Sequence, residues 1–189
     1  MRRFIFNLVS VLFSAVKFGI MKLFHFHHFF YSGIQRFSPN TEVVIAEGGT
    51  IRLGRHVRAH RRSKLLAMDG GTLEIGSNTA LGNGVSVNCM ESIVIGEGVQ
   101  IGPDTKIYDH GHDYRVPGGI GAGKFVTAPV TIGDNSWIGC NVVILRGTSI
   151  GKNCIVGAGS VLKGAYPAGS VIVQKRQTTV TVYPTGTEK

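Results

Sequence analysis

Five consecutive residues, Asp109-His110-Gly111-His112-Asp113, set two imidazoles and two carboxylates side by side in a chain of 189 residues. Histidine ordinarily titrates close to neutrality, so such a pair can take up and return a proton. A neighbouring carboxylate can hold one ring in a single tautomer, which makes Asp109 and Asp113 the candidate orienters. Three further histidines, His25, His27 and His28, lie in Phe24–Tyr31 with ligand-like spacing. Aromatic residues dominate that stretch and it holds no acid or cysteine, so it reads as an amphipathic belt and no metal is expected. Cys89, Cys140 and Cys154 form no CxxC pair and leave one thiol odd. They read as small buried thiols in a reducing compartment, without a disulfide framework.

The element that must position the histidines announces itself through a period of six. Aliphatic or small residues stand at Leu53, Ala59 and Leu65, at Ile75, Leu81 and Val87, and at Ile95, Ile101 and Ile107. The step returns without error from Ile132 through Ile138, Ile144, Ile150 and Val156 to Leu162, and glycine follows many of these positions. Six is neither a helical period nor a strand alternation. One inward residue per six suits short straight segments joined by corners where Gly, Asn and Asp tolerate positive φ. Three segments close one triangular coil of 18 residues, and stacked coils pair their backbones as parallel sheet. The fold class is therefore all-β, a parallel β-helix. Between Ile107 and Ile132 nineteen residues exceed the expected six. That excess, about 108–131, is a loop expelled from a regular solenoid, and it begins with the two histidines; long loops on rigid repeats carry function.

Residues 1–64 hold eleven Lys and Arg against two Glu, whereas the remainder holds nine of each sign, so the whole net charge of +9 lies at one end. A uniformly basic nucleic-acid binder is thereby disfavoured. The run Arg55–Lys64 also lacks the interleaved aromatics of single-strand binders, so no nucleic acid is expected. Arg3, Asn7, Ser10, Ser14 and Lys17 step by four and three and form one polar stripe on an otherwise apolar helix. Lys17 and the lack of a cleavage site argue against a signal peptide, and the polar interruptions argue against a span. The expectation is a helix in a membrane interface, polar stripe outward, with the anionic surface met through residues 1–64; packing on protein is the alternative. The segments are then 1–40, amphipathic and helical; 41–173, the β-helix; and 174–189, a tail.

The run Ile132–Leu162 resembles the hexapeptide-repeat acyltransferases, and the resemblance covers roughly residues 45–173. It implies that the β-helix is left-handed. Ile107–His112 followed by Thr127–Gly133 is most similar to the O-acetyltransferases of sugars and surface polysaccharides. Such enzymes move acetyl from acetyl-CoA directly to a hydroxyl, which needs a base for the alcohol proton and donors for the oxyanion. The resemblance puts the base at His112; His110 either orients it or lines the acceptor pocket, and Asp109, Asp113 or a backbone carbonyl is the candidate orienter. The resemblance places Trp137, Cys140 and Ala158 along the pantetheine groove and Lys163 toward the phosphates of CoA; Lys175 and Arg176, outside the family pattern, are cations able to hold the 3′-phosphate. Family contacts that are missing here, a Gly-Asn-Pro-Ala turn, are replaced by Gln174-Lys175-Arg176-Gln177. Ser86 or Asn88 stands where an acceptor-binding Asn is usual, and Asp113 and Tyr114 join the acceptor side. A homotrimer is implied, because family sites lie between neighbouring prisms.

The expected function is an acetyl-CoA-dependent O-acetyltransferase acting on a carbohydrate, specifically a lipid-linked polysaccharide or glycan precursor. Its place is peripheral on the cytoplasmic face of the membrane. Rival readings are an acyltransferase on a small sugar or amino acid and a non-catalytic scaffold. A zinc-dependent γ-type carbonic anhydrase needs a third histidine near the loop, and none follows His112.

Overall fold

Every residue of the predicted inward column, from Leu53 through Leu162, is buried. The computed structural model describes residues 2–175, 177, 179 and 180, with side chains from Ile5 onward, and shows a parallel β-solenoid preceded by one helix. Its three faces are sheets of seven, seven and six parallel strands. The first face runs from Phe29–Tyr31 to Ala165–Tyr166, the second from Arg36–Phe37 to Val171–Ile172, and the third from Glu42–Ile45 to Val161–Leu162. Corners turn through positive φ at Asn and Asp, as at Asn78, Asp104, Asn135 and Asn153. At Gly139 the stacking itself demands glycine: a Cβ there would lie 2.7 Å from the backbone nitrogen of Ala158.

The 18-residue coil holds only late in the chain, where Ile132 pairs with Ile150, Ile138 with Val156 and Ile144 with Leu162. Earlier coils are longer. Ile51 pairs with Leu73, twenty-two residues on, and Ile75 with Ile95, twenty residues on. The extra residues lengthen the strands: Lys64–Ala67 and Ser86–Cys89 have four residues, and Val143–Ile144 and Val161–Leu162 have two. A four-residue strand points two side chains inward, as Leu65 with Ala67 and Val87 with Cys89. The prism is therefore wide at its N-terminal end and narrow at its C-terminal end.

Two expectations for residues 1–40 need correction. The helix (Arg2–Phe24) ends well before residue 40, and Phe29–Tyr31 and Arg36–Phe37 already pair with Thr50–Leu53 and Arg58–Ala59 as a first coil. Phe29 and Phe37 point inward and meet Phe18 of the helix at ring distances of 5.1 and 4.9 Å. Part of the aromatic belt is thus a plug for the wide end, while Phe24 and Phe26 remain exposed. The helix also lies the other way out from the expectation: its polar stripe faces the prism. Ser10 and Ser14 are buried, Ser14 Oγ accepts the Phe37 N–H at 2.8 Å, and Lys17 Nζ donates to the Thr41 carbonyl at 2.8 Å. Lys22 Nζ reaches the Phe29 carbonyl at 3.0 Å. The physical reason is the open edge of the first coil, whose backbone groups have no preceding strand and need polar partners.

Candidate active site

The excess between Ile107 and Ile132 is an antiparallel hairpin rather than an irregular loop. His110–His112 pairs with Phe125–Thr127, so His110 lies opposite Thr127 and His112 opposite Phe125. It leaves the solenoid where the third face narrows. Tyr108 still has a partner in the coil below, Asn88, but none in the coil above, where pairing stops at Ile107 with Ile144. The wider coil consequently ends in a ledge at Met90–Ser92. The equivalent N–H one coil earlier, that of Thr72, donates to the Glu91 carbonyl. At the ledge a side chain takes over this duty. Asp109, fully buried, accepts from the N–H groups of Met90, Glu91 and Ser92 at 2.8–3.1 Å.

The same carboxylate meets His110 Nδ1 at 2.9 Å, and only 15% of the His110 side chain is exposed. Oxygens already accepting from three backbone donors act as acceptors here too, so Nδ1 carries the hydrogen and Nε2 is left as the proton-accepting atom. The Asp109 carboxylate therefore holds His110 and not His112, the histidine it was expected to support. His112 is exposed, with its ring on Phe125 at a centroid distance of 4.6 Å. Asp113 orients neither ring: it accepts from Arg115 Nε at 2.9 Å, and that guanidinium holds its carboxyl below the usual range. Tyr114 is exposed beside it. Cys89 borders the ledge from inside; burial pushes its thiol up, and the Asp109 charge adds to the effect.

Ser86 and Asn88 lie on the outer third face, bonded to each other at 3.0 Å. Asn88 is in register with Tyr108, whose ring stands edge-on to His110 at 5.9 Å. These residues and the hairpin are thus brought together. The proposed cofactor residues are distributed differently. Cys140 and Ala158 occupy stacked corners between the second and third faces, with the Gly159 N–H on the Cys140 carbonyl at 2.8 Å. Cys140 is exposed, which corrects its reading as a buried thiol; Cys89 and Cys154 are buried as expected. Trp137 stands exposed on the second face. Lys163 is exposed at the corner between the third and first faces, the edge from which the hairpin springs. Gln174 closes its side-chain amide on both backbone groups of Val161, at 2.9 and 2.6 Å, so Lys175 follows a tail folded onto the third face. Arg176 lies outside the described residues. Within one chain, then, the histidines and the Trp137–Cys140–Ala158 set mark different edges of the prism.

Three neighbours of the hairpin escaped the sequence reading: Tyr108, Phe125 and Arg146. Tyr108 follows the inward Ile107 and Arg146 stands two residues beyond the inward Ile144, both at the corner where the chain leaves, a positional signal that was available. Phe125 is signalled by nothing local, since only the hairpin pairing brings it to His112. Among the described residues no group of three His, Cys, Asp or Glu could hold a metal ion.

Comparison with known proteins bears on the repeat and the fold. Residues 129–164 match the family model described as bacterial transferase hexapeptide, six repeats. A probable acetyltransferase of Mycobacterium tuberculosis is 33% identical over 126 residues, covering 65% of this chain and 41% of that protein. Galactoside O-acetyltransferase of Escherichia coli is 32% identical over 106 residues, covering 54% and 50%. A second Escherichia coli protein, WbbJ, bears a name for O-acetyl transfer in lipopolysaccharide biosynthesis. It is 29% identical over 138 residues, covering 68% and 69%. The chain thus spans half or less of the mycobacterial and galactoside proteins. Among solved structures, the N-acyltransferase AntD of Bacillus cereus, in complex with dTDP and coenzyme A, superposes with a TM-score of 0.64. The two are 19% identical over 84% of this chain and 89% of that one. GDP-perosamine N-acetyl transferase of Caulobacter crescentus, in complex with CoA and GDP-perosamine, gives 0.53 at 21% identity over 74% and 53%. At these identities the structural likeness establishes the shared fold.

Proposed function

We propose, from the premise that this chain carries the transferase hexapeptide repeat on a continuous β-solenoid, that it is an acetyl-CoA-dependent O-acetyltransferase of carbohydrates. The observation that carries the reading is the anchored hairpin: one interruption in a continuous solenoid, and it bears the paired histidines. In the reaction His112 takes the proton of a sugar hydroxyl as its oxygen attacks the thioester carbonyl carbon. The tetrahedral oxyanion collapses with loss of the CoA sulfur, and the imidazolium returns the proton to that sulfur, leaving ester and free thiol. Ser86, Asn88 and Tyr114 border the acceptor; Trp137, Cys140, Ala158, Lys163 and Lys175 border the CoA. The histidines and the Trp137–Cys140–Ala158 set mark different edges of one prism, which supports a working site that joins edges of adjacent copies, and the resemblance to the hexapeptide-repeat transferases adds that the assembly is a homotrimer. The name borne by WbbJ and the basic, apolar N-terminal end favour a lipid-linked glycan as acceptor, met on the cytoplasmic side.

A second reading rests on one specific contact. The Asp109–His110 pair has the geometry of an oriented base, and in that reading His110 Nε2 takes the proton. Acetyl-CoA turnover, with mass gain on a panel of glycans and lipid-linked glycans, tests the activity. His112→Ala and His110→Ala proteins, each checked for intact fold, separate the two bases: the base is the one whose loss lowers turnover about 10²–10⁴-fold. No acetyl transfer to any glycan overturns the reading and leaves the scaffold alternative.

A further inference from the structure

The side of the N-terminal helix turned away from the prism is a continuous apolar strip. Ile5, Leu8, Leu12, Val16, Ile20 and Leu23 are each about half exposed or more, from 48% at Leu8 to 74% at Leu23. They run over most of a helix about 35 Å long at 1.5 Å per residue. Among the described residues nothing covers this strip, and the fold explains why: Ser14 and Lys17 of the polar stripe hold backbone groups of the first coil, so the helix cannot roll its apolar side inward. On the second coil of the same end lie Arg55, Arg58, Arg61 and Arg62, none paired with an acid among the described residues; Arg52 and Lys64 do have partners, in Glu74 and Glu42. The Arg61 guanidinium rests over the Phe6 ring at 4.9 Å, joining the basic patch to the helix. Burial and the charges of Arg36 and Arg58 hold His60 below the ordinary histidine value, as expected in a positive field.

We propose that this end of the prism docks on an anionic lipid surface, with the helix parallel to the membrane, its apolar strip in the acyl boundary and its polar stripe still clipped to the first coil. The arrangement differs from a free amphipathic helix: the helix is a rigid foot of the domain, sandwiched between prism and lipid. Charge decides the occupant. The helix Arg2–Phe24 contains no acidic residue, so a second copy seated on the same strip would bring two basic patches together. Lipid headgroups neutralise that patch while the acyl boundary takes the apolar strip. A transmembrane course is disfavoured because it would strip the Ser14 and Lys17 contacts from the prism edge. The inference is independent of the transferase reading, since its readout is binding.

The test is flotation of the full-length chain with vesicles of phosphatidylcholine alone or with phosphatidylglycerol, at low and high salt. Three forms are compared: unchanged protein, Leu12→Glu/Val16→Glu on the outward strip, and Arg55, Arg58, Arg61 and Arg62 all changed to Gln. Unchanged protein should float with the anionic vesicles and release in high salt. The strip variant should lose flotation while keeping its circular dichroism. The arginine variant should bind at least about tenfold more weakly, as expected for several headgroup-facing cations removed together. Failure of the unchanged protein to float at low salt overturns the proposal. So does flotation indifferent to both variants, or a stable assembly that Leu12→Glu/Val16→Glu dissolves, since that result assigns the strip to a second copy.

Discussion

The two ends of the prism are built from one repeat and differ in almost everything else. At the narrow end, coils of eighteen residues carry one aliphatic residue per face, Ile150, Val156 and Leu162, with glycine at many of the corners. At the wide end, coils of twenty-two residues carry paired inward residues, an aromatic plug and a helix. The difference teaches that stacking tolerates added width as long as whole coils widen together. It also shows where a change of width has a cost: at the step, backbone donors of the wider coil lose their partners. Here that step and the candidate site coincide. Asp109 both satisfies the ledge and holds His110, so one carboxylate serves stability and chemistry together.

The comparison can be broken or sharpened by experiment. The largest effect should come at the step: His112→Ala is expected to lower acetyl transfer about 10²–10⁴-fold without moving the unfolding midpoint. A melting temperature that falls in parallel would mean the hairpin supports the scaffold rather than the chemistry. Next, Leu162→Ala removes one of three inward side chains from a narrow coil and should cost about 2–5 kcal/mol in denaturant unfolding, as large-to-small core changes do. Asp109→Ala leaves three backbone N–H groups without their acceptor, and a loss of about 3 kcal/mol is expected, with a smaller loss for Asp109→Asn. Equal stability of all three proteins would remove the ledge argument. At the wide end, Ser14→Ala opens one capping bond, and unfolding should register about 1 kcal/mol.

The smallest expected effect is one of pH. His60 titrates below its ordinary value of 6.5 because it is partly buried and faces Arg36 and Arg58. The unfolded chain therefore takes up the proton more readily than the folded one, so stability is full above the ordinary histidine range and declines as pH falls through it. His60→Gln should flatten that slope in thermal melts between pH 7.5 and pH 5.5; an unchanged slope would place its origin in other histidines.

The narrow end was legible because each inward residue stands six from the next and glycine marks many of the corners. The first coil was not: Phe29 and Phe37 carry no such mark, and their partners lie twenty-two residues on. For the helix, the sequence pattern separates a polar stripe from an apolar side but does not say which one meets protein. That is decided by the unpaired backbone edge of the first coil, a property of the assembled solenoid. The histidines were legible as a pair of candidate bases, while the partner of His110 was hidden because the ledge exists only once a wide coil meets a narrower one. Asp113, equally near in sequence, is taken by Arg115 instead.

The stack of coils also acts as a ruler. The hairpin leaves the fourth coil, three steps from the first, and coils repeat at about 4.8 Å, which gives about 14 Å. The helix beneath adds about 5 Å, half its thickness, because its outward half lies in the acyl boundary. With the helical foot so docked, the histidines are held roughly 20 Å above the plane of the helix axis, at a height fixed by the number of coils and not by any flexible tether. A sugar hydroxyl close to the headgroups would sit too low to be reached, and one carried farther out on a lipid-linked chain would come level with the hairpin. Acceptor length, rather than sugar identity alone, would then set which hydroxyl receives the acetyl group.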